Sequence, residues 1–182
     1  MPRQLLDSQN IYTGAVFTVT RDRLREDSGQ EIARDVVQHS GGAGGVALFA
    51  DGRIALVRQY RHPAGRDLLE IPAGKIDAGE SPEVCAAREI EEELGVRVGR
   101  LEKLSEFYST PGFCAEKLFV YLATELEPTQ QKLDHDEEVE IVYLSLDEAW
   151  QLVERGEIED AKTIIALMLT RQKLSSVETI AE

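Results

Sequence analysis

The chain has 182 residues, of which 42% are hydrophobic and 30% charged, and its formal net charge at pH 7 is −14. This length and composition suit one substantial domain, and no apolar run approaches the length of a membrane span. The acidic balance argues against general nucleic-acid binding, which depends on basic residues that contact phosphates. We therefore expect neither a nucleic acid nor a membrane as a partner.

Two features predict a cytoplasmic location. The N-terminal stretch MPRQLLDSQN lacks the apolar region of a signal peptide. Cys85 and Cys114 have no metal-type spacing. We expect both to be free thiols in a reducing compartment.

The chain begins with two predicted strands. Residues 11–20 and 31–39 are alternating and rich in β-branched residues, and they flank a turn signal at residues 27–29. We interpret residues 1–42 as a small N-terminal β-sheet module, with extra sheet for the main domain as the alternative.

The glycine-rich stretch at residues 41–45 comes next. Its glycine spacing differs from the dinucleotide fingerprint, and no strand–loop–helix context surrounds it. We expect a flexible entry into a strand at residues 46–50, with a phosphate-cradling loop as the alternative.

A turn at Asp51-Gly52 predicts a hairpin between residues 46–50 and 53–60. The second strand ends in Arg58-Gln59-Tyr60-Arg61. Arginine makes bidentate contacts to phosphate or carboxylate, so Arg58 and Arg61 are candidates for binding an anionic ligand. An ordinary edge strand is the alternative for Arg58.

The next predicted element is a helix that carries three carboxylates. Ser81 is a suitable N-cap, Pro82 suits the first helical position, and Gly95 suits the end. Glu89, Glu92 and Glu93 stand at i, i+3 and i+4, so their side chains would crowd within one turn. A hard divalent cation such as Mg²⁺ prefers oxygen ligands of this kind. The alternative is a solvated acidic helix face.

The complete pattern is Gly74, five residues, Glu80, seven residues, then Arg88-Glu89-Ile90-x-Glu92-Glu93-x-Gly95-Val96. It resembles the signature box of the Nudix hydrolase family at every fixed position. The resemblance implies an α/β Nudix fold, with a mixed sheet sandwiched between helices. It also implies that residues 43–182 form the catalytic domain.

The same resemblance assigns roles within the box. Glu89, Glu92 and Glu93, together with the carbonyl of Ala73, would hold Mg²⁺, with Mn²⁺ able to substitute. Arg88 would orient a glutamate of the box, and Glu80 would brace the loop before the helix.

Residues outside the box are implied as substrate-binding. Arg61 and Glu70 would lie near the diphosphate. A proline about fifteen residues past the box is a marker of the ADP-ribose pyrophosphatase subgroup, and Pro111, Gly112 and Glu116 fit that marker.

The acidic run at residues 134–138 reads as a solvated loop, but related enzymes carry a general base in the corresponding loop. Glu137 and Glu138 are the candidates for this base, and the sequence does not choose between them. His135 is a further alternative because its pKa suits neutral pH. Such a base would sit on a mobile element.

Two more helices are predicted near the C-terminus. One begins at Glu148 behind a cap at Ser145 or Asp147, and Gly156 ends it. The other is amphipathic and covers residues 160–169.

These features predict a metal-dependent enzyme that hydrolyses ADP-ribose to AMP and ribose 5-phosphate. The alternatives are hydrolysis of GDP-mannose or another nucleoside diphosphate sugar, and a non-catalytic protein that senses ADP-ribose. Because the N-terminal sheet of similar enzymes exchanges between subunits, the resemblance also predicts a homodimer.

Overall fold

The computed structural model describes residues 3–133 and 138–181, without the side chains of residues 177–181. The described residues form ten strands and three α-helices. The chain divides into two compact units. The first takes in the chain up to Gly41 together with Phe107–Leu118, and the second takes in Gly42–Glu106 and the chain from Phe119 onward. None of the described helices has the length and apolar character needed to cross a membrane.

The first unit contains an antiparallel three-stranded sheet of β1 (Gln4–Thr13), β2 (Thr18–Arg25) and β3 (Glu31–Gln38), in that order. The prediction of a single strand over residues 11–20 is wrong. The chain reverses there, because the Gly14 N–H donates to the Phe17 carbonyl at 2.9 Å and Thr13 pairs with Thr18.

The second unit is built on a seven-stranded sheet. Its strands are β4 (Gly42–Leu48), β5 (Arg53–Arg61), β6 (Arg66–Glu70), β7 (Ala73–Lys75), β8 (Val96–Tyr108), β9 (Lys117–Pro128) and β10 (Val139–Ser145). The order is β10-β5-β4-β9-β8, with β6 paired to β5 and β7 paired to β4. The last two residues of β8 and the first two of β9 belong to the first unit. The helices are α1 (Pro82–Leu94), α2 (Leu146–Glu154) and α3 (Ala161–Ala181). This is the mixed α/β fold that the sequence predicted.

Strand β4 is the centre of this unit, since it contacts both α1 and α3 and is almost entirely buried. A side chain at Gly44 would meet the Pro72 carbonyl oxygen at 2.2 Å, and one at Gly45 would meet the Tyr121 carbonyl oxygen at 2.7 Å. The glycines therefore permit close backbone packing between strands. The predictions of a flexible entry and of a phosphate cradle are both wrong for residues 42–45.

Helix α1 begins and ends where the sequence predicted. The Ser81 hydroxyl accepts from the Val84 N–H at 3.3 Å, and Gly95 takes the left-handed conformation, with φ of 64°. Ile90 and Leu94 pack against Ala47 and other small residues of the sheet. Burial of these aliphatic side chains, at about 1.5–3 kcal/mol each, fixes one face of the helix on the sheet.

The C-terminal helices follow the predicted signals. Ser145 caps α2 in a capping box with Glu148, and Gly156 has a φ of 72°. Asp160 accepts from the N–H and the hydroxyl of Thr163 at 2.9 and 2.6 Å, which starts α3. This helix is longer than predicted, since it continues from residue 161 to residue 181.

Candidate active site

Arg88 holds the carboxylates of the box together. Its Nε and Nη2 donate to Glu80 at 2.9 and 3.1 Å, while its Nη1 donates to Glu89 at 2.7 Å and to Glu92 at 2.9 Å. These hydrogen bonds lower the pKa of Glu80 to about 2 and raise the pKa of Arg88. The contacts match the bracing and orienting roles that the family resemblance implied for Glu80 and Arg88.

Two of the three box carboxylates on α1 are buried. Glu89 is 8% exposed and Glu93 is 2% exposed, whereas Glu92 is half-buried. The alternative of a solvated acidic helix face is therefore wrong. A buried carboxylate is costly unless cations or hydrogen bonds compensate it, so this burial requires a specific environment.

The loop before the helix is fixed by Glu80. Its carboxylate accepts from the Asp77 N–H at 3.1 Å, and the Glu80 N–H donates to the Asp77 carbonyl at 3.1 Å. Gly79, with φ of 83°, supplies the left-handed turn between them. These contacts fix the conformation of the loop that connects β7 to the start of α1.

Gly74 makes room for Glu89. A methyl group at this position would lie 2.0 Å from Glu89 Oε1 and 2.3 Å from its Cδ. The carboxylate thus rests directly on the backbone of β7, the strand that also contains Ala73. The role of the Ala73 carbonyl as a metal ligand remains a prediction.

The residues of the box suit a divalent metal. Their donor chemistry fits Mg²⁺ or Mn²⁺, since three carboxylates from one helix supply oxygen ligands of the kind that these ions prefer. The cradle that Gly74 leaves for Glu89 also fits, since a side chain there would displace the carboxylate. Within residues 3–133 and 138–181, however, no three such side chains are already arranged around one point. The Arg88 guanidinium bridges Glu89 and Glu92, so a bound cation would share these carboxylates with Arg88.

A second charged cluster involves Arg61 and Glu70. Arg61 donates from Nε and Nη2 to the two oxygens of Glu70 at 2.7 and 2.9 Å. Lys162, at the start of α3, donates to the same carboxylate. Burial by itself would raise the pKa of Glu70, but the bonds from Arg61 and the charge of Lys162 lower it to about 2. The sequence named Arg61 and Glu70 as candidates for substrate binding, and it missed Lys162, which bonds with the same carboxylate as Arg61.

Arg61 also lies within electrostatic reach of the box. Its hydrogen bond to Glu70 raises its pKa most, and the charges of Glu93 and Asp160 raise it further. The charge of one box carboxylate, Glu93, thus acts on the Arg61–Glu70 pair.

Arg58 and Glu138 line a common open cavity of about 500 Å³. Tyr60 and Asp67 also line it, and Tyr60 is 57% exposed. Arg58 forms an ion pair with Glu140 of β10 at 3.2 Å. The edge-strand alternative for Arg58 is wrong, because β5 is paired with both β10 and β6 at this position.

Of the two candidates for the general base, only Glu138 is among the described residues. Glu137 lies outside them, as does the alternative base His135. Glu138 immediately precedes β10 and lines the same cavity as Arg58. Its catalytic role remains a prediction.

The three residues of the subgroup marker lie in the first unit. Pro111 and Gly112 are exposed, and Glu116 lies 3.6 Å from the Nδ1 of His39. Val37 of β3 exchanges backbone hydrogen bonds with Phe113 and Ala115 of this segment at 2.8 and 2.9 Å. Contacts of Pro111, Gly112 and Glu116 with a substrate remain a prediction.

The C-terminal end of α1 is covered by a later segment of the chain. The Lys132 N–H donates to the Glu92 carbonyl at 2.9 Å, and the Gln131 side chain donates to the Glu93 carbonyl at 2.7 Å. The Thr129 N–H donates to the Gly95 carbonyl at 2.7 Å. These bonds satisfy carbonyls that a helix end leaves without intrahelical partners.

Comparison with known proteins gives the chain its family. The NUDIX domain family matches residues 39–167, which is most of the chain and includes the whole box. The protein belongs to the Nudix family.

Similar Nudix proteins carry several names. An ADP-ribose pyrophosphatase of Bacillus subtilis (strain 168) is 37% identical over 175 residues, which cover 95% of each chain. An ADP-ribose pyrophosphatase of Mycobacterium tuberculosis is 38% identical over 91% of this chain and 81% of its own. A GDP-mannose pyrophosphatase of Yersinia pestis (strain Pestoides F) is 34% identical over 79% of this chain and 78% of its own.

A solved structure supports the fold. The crystal structure of an ADP compounds hydrolase superposes with a TM-score of 0.84 over 97% of this chain and 96% of that chain. The two sequences are 24% identical, so this comparison speaks for the Nudix fold alone.

Proposed function

We propose that this Nudix protein hydrolyses ADP-ribose to AMP and ribose 5-phosphate with the help of Mg²⁺, for which Mn²⁺ can substitute. The observation that carries the proposal is the group of box carboxylates on α1, of which Arg88 holds Glu89 and Glu92 and Gly74 makes room for Glu89. The choice of ADP-ribose is supported by the two relatives of that name, one of which is similar over 95% of both chains.

In the proposed site Glu89, Glu92 and Glu93 would hold the metal, together with the Ala73 carbonyl. A metal held there would supply Lewis acidity, which polarises phosphoryl oxygens and lowers the pKa of water. Arg61 and Arg58 bind the diphosphate and compensate its charge, which an acidic protein cannot do without local cations. Glu70 orients Arg61 through the bidentate pair.

The reaction is a displacement by water at phosphorus. The water oxygen forms a new P–O bond while the bridging P–O bond of the diphosphate breaks. Glu137 or Glu138 accepts the proton of the water, and the departing phosphate takes the bond electrons with it. We assign Pro111, Gly112 and Glu116 to substrate binding.

A substrate panel tests the proposal. Hydrolysis of ADP-ribose and GDP-mannose is compared by kcat/KM in Mg²⁺, with AMP or GMP as the measured product. We expect ADP-ribose to be preferred by at least about tenfold, which corresponds to about 1.4 kcal/mol of transition-state binding. The reverse preference would establish the second candidate, a GDP-mannose pyrophosphatase, which the Yersinia relative favours.

A glutamate variant tests the metal site. Glu93→Gln should lower kcat by orders of magnitude with the fold intact, since the amide cannot replace a charged ligand. The matched control is Glu91→Gln on the same helix, at a variable position of the box, which should keep its turnover. Full activity of Glu93→Gln at saturating Mg²⁺ would refute the metal assignment. Tight ADP-ribose binding with no hydrolysis across the panel would instead support a sensing protein.

We further propose a cytoplasmic homodimer in which residues 1–42 form the dimerisation module and residues 43–182 the catalytic domain. The proposal is supported by the exposed apolar side chains of the three-stranded sheet, among them Leu5, Ile11 and Tyr12. Light scattering on the full chain and on a chain without residues 1–42 tests it. A monomeric full chain would contradict it.

A further inference from the structure

The buried cluster around Glu70 is the feature that carries a further inference. Glu70 is 1% exposed, and its side chain bonds with cations from two different elements. Arg61 at the end of β5 provides two bonds, and Lys162 on α3 provides one. A buried carboxylate with only one cationic partner is poorly compensated, so both Arg61 and Lys162 stabilise the charge of Glu70 and fix the position of its side chain.

The bonds to Glu70 have a definite geometry. Both oxygens of Glu70 accept from Arg61, and Oε2 also accepts from Lys162. The bonds from Arg61 use one edge of its planar guanidinium, formed by Nε and Nη2. The opposite edge contains Nη1, and the side chain as a whole remains 38% exposed. Arg61 is therefore held through one edge of its guanidinium, while its side chain stays partly exposed.

Lys162 is itself fixed in place. Its ammonium forms an ion pair with Asp160 at 3.1 Å, and its side chain is only 14% exposed. The neighbouring Thr163 hydroxyl accepts from the Ile71 N–H at 2.8 Å, one residue after Glu70. The first turn of α3 is thus joined to this point of the chain by a hydrogen bond from the Ile71 N–H to the Thr163 side chain and by the charged bond between Lys162 and Glu70.

We propose that Lys162 is a positioning residue, which orients Glu70 so that Arg61 is held in place to bind the diphosphate of the substrate through the edge that Glu70 does not occupy. The inference rests on the proposed function, because Arg61 is there assigned to the diphosphate. In the proposed site Lys162 contacts no reacting atom. It acts through Glu70 and Arg61 alone.

The charge of Lys162 affects how strongly Arg61 attracts an anionic substrate. A pair of Arg61 and Glu70 would be neutral, and a neutral pair attracts an anion weakly. The Lys162 ammonium is shared between Glu70 and Asp160, so it compensates Glu70 in part, and Arg61 retains more of its attraction for a diphosphate than it would without this lysine. Removal of the Lys162 charge should therefore weaken substrate binding more than it slows the chemical step.

The test begins with Lys162→Met, which keeps the length of the side chain and removes the charge. We expect the KM for ADP-ribose to rise about tenfold with kcat changed less than about twofold, the pattern of lost uniform binding. The Mg²⁺ concentration for half-maximal activity should not change. Lys173→Met is the matched control, because Lys173 is on the same helix and pairs with Glu102. This control should have the wild-type KM.

A double-mutant cycle with Arg61→Met decides whether Lys162 acts through Arg61. In the Arg61→Met background the further change Lys162→Met should alter KM by less than about twofold, since the residue it positions is gone. A merely structural role would give the same tenfold loss in both backgrounds, and that result would overturn the proposal. An unchanged KM in Lys162→Met would do so too.

Two further measurements keep the test decisive. If Lys162→Met fails to fold, Lys162→Arg and Lys162→Gln are compared. A KM near wild type for the former with about a tenfold rise for the latter supports the proposal, and equal values overturn it. If the wild type hydrolyses none of the panel, the proposed function fails, and the same variants are compared by Kd for ADP-ribose in Ca²⁺. A tenfold weaker Kd in Lys162→Met then supports the positioning role, whereas an unchanged Kd, or a wild type that does not bind, overturns it.

Discussion

Substitution of Gly74 by alanine offers the most direct test of the carboxylate arrangement. The new methyl carbon would lie 2.0 Å from Glu89 Oε1, whereas ordinary contacts begin at 3.4 Å. The carboxylate would therefore have to move by about 1.4 Å, which is enough to break its 2.7 Å bond with Arg88. A displacement of about 1 Å at a catalytic group can cost about 100-fold in rate.

The expected result for Gly74→Ala has two parts. Activity should fall by about 100-fold, and more Mg²⁺ should be needed for half-maximal rate. Overpacking should also lower the free energy of unfolding by about 1–3 kcal/mol, which is a fall of about 2–12 °C in Tm for a chain of this size. Product release at a series of Mg²⁺ concentrations and thermal unfolding measure the two effects.

Gly99→Ala is the control for this experiment. A methyl group at Gly99 would meet the Glu125 carbonyl oxygen at 2.7 Å, so it strains the fold without touching a box carboxylate. This variant should lose stability but keep the wild-type dependence on Mg²⁺. A Gly74→Ala protein with wild-type kcat and wild-type dependence on Mg²⁺ would refute the reasoning.

Two further predictions concern the charged groups of the site. Arg88→Lys should reduce kcat by about 100-fold and destabilise the fold by about 2 kcal/mol, because lysine cannot bond with Glu80, Glu89 and Glu92 together. Steady-state kinetics and urea unfolding measure the two effects. A kcat within twofold of wild type would contradict the prediction. The pKa of Glu70 lies at about 2, below its ordinary value of 4.5, so its charge stabilises the fold fully above pH 4.5 and progressively less as the pH falls toward 2. The free energy of unfolding of Glu70→Gln should therefore fall less steeply than that of wild type between pH 4.5 and 3, and equal slopes in urea titrations would rule this out.

The sequence predicted what local chemistry determines. The limits of α1 follow from Ser81 and Gly95, and the hairpin of β4 and β5 follows from a two-residue turn signal. The box carboxylates and Arg88 are separated by at most five residues, so helical geometry alone brings them together.

What the sequence could not predict depends on contacts between distant residues. Glu70 and Lys162 are 92 positions apart, and no local pattern relates them. The glycines of β4 resembled a flexible segment in the sequence. Glycine is needed there because the backbones at Pro72 and Tyr121 lie too close for a side chain, and these residues are distant in the sequence. The sequence did not predict the turn at Gly14, because only Gly14 and Ala15 interrupt residues of strand propensity on both sides.

The segment at residues 129–132 restrains the C-terminal end of α1. Helix ends normally fray, since their last carbonyls exchange partners with water at little cost. Here the carbonyls of Glu92, Glu93 and Gly95 are bonded to a stretch of chain more than thirty residues later. The final turn of the helix and this stretch must therefore open together or remain closed together. Residues 129–132 thus help to hold the last turn of α1, which carries Glu92 and Glu93, although none of them is proposed as a metal ligand. A substitution in this segment should increase the mobility of these two carboxylates without contacting them.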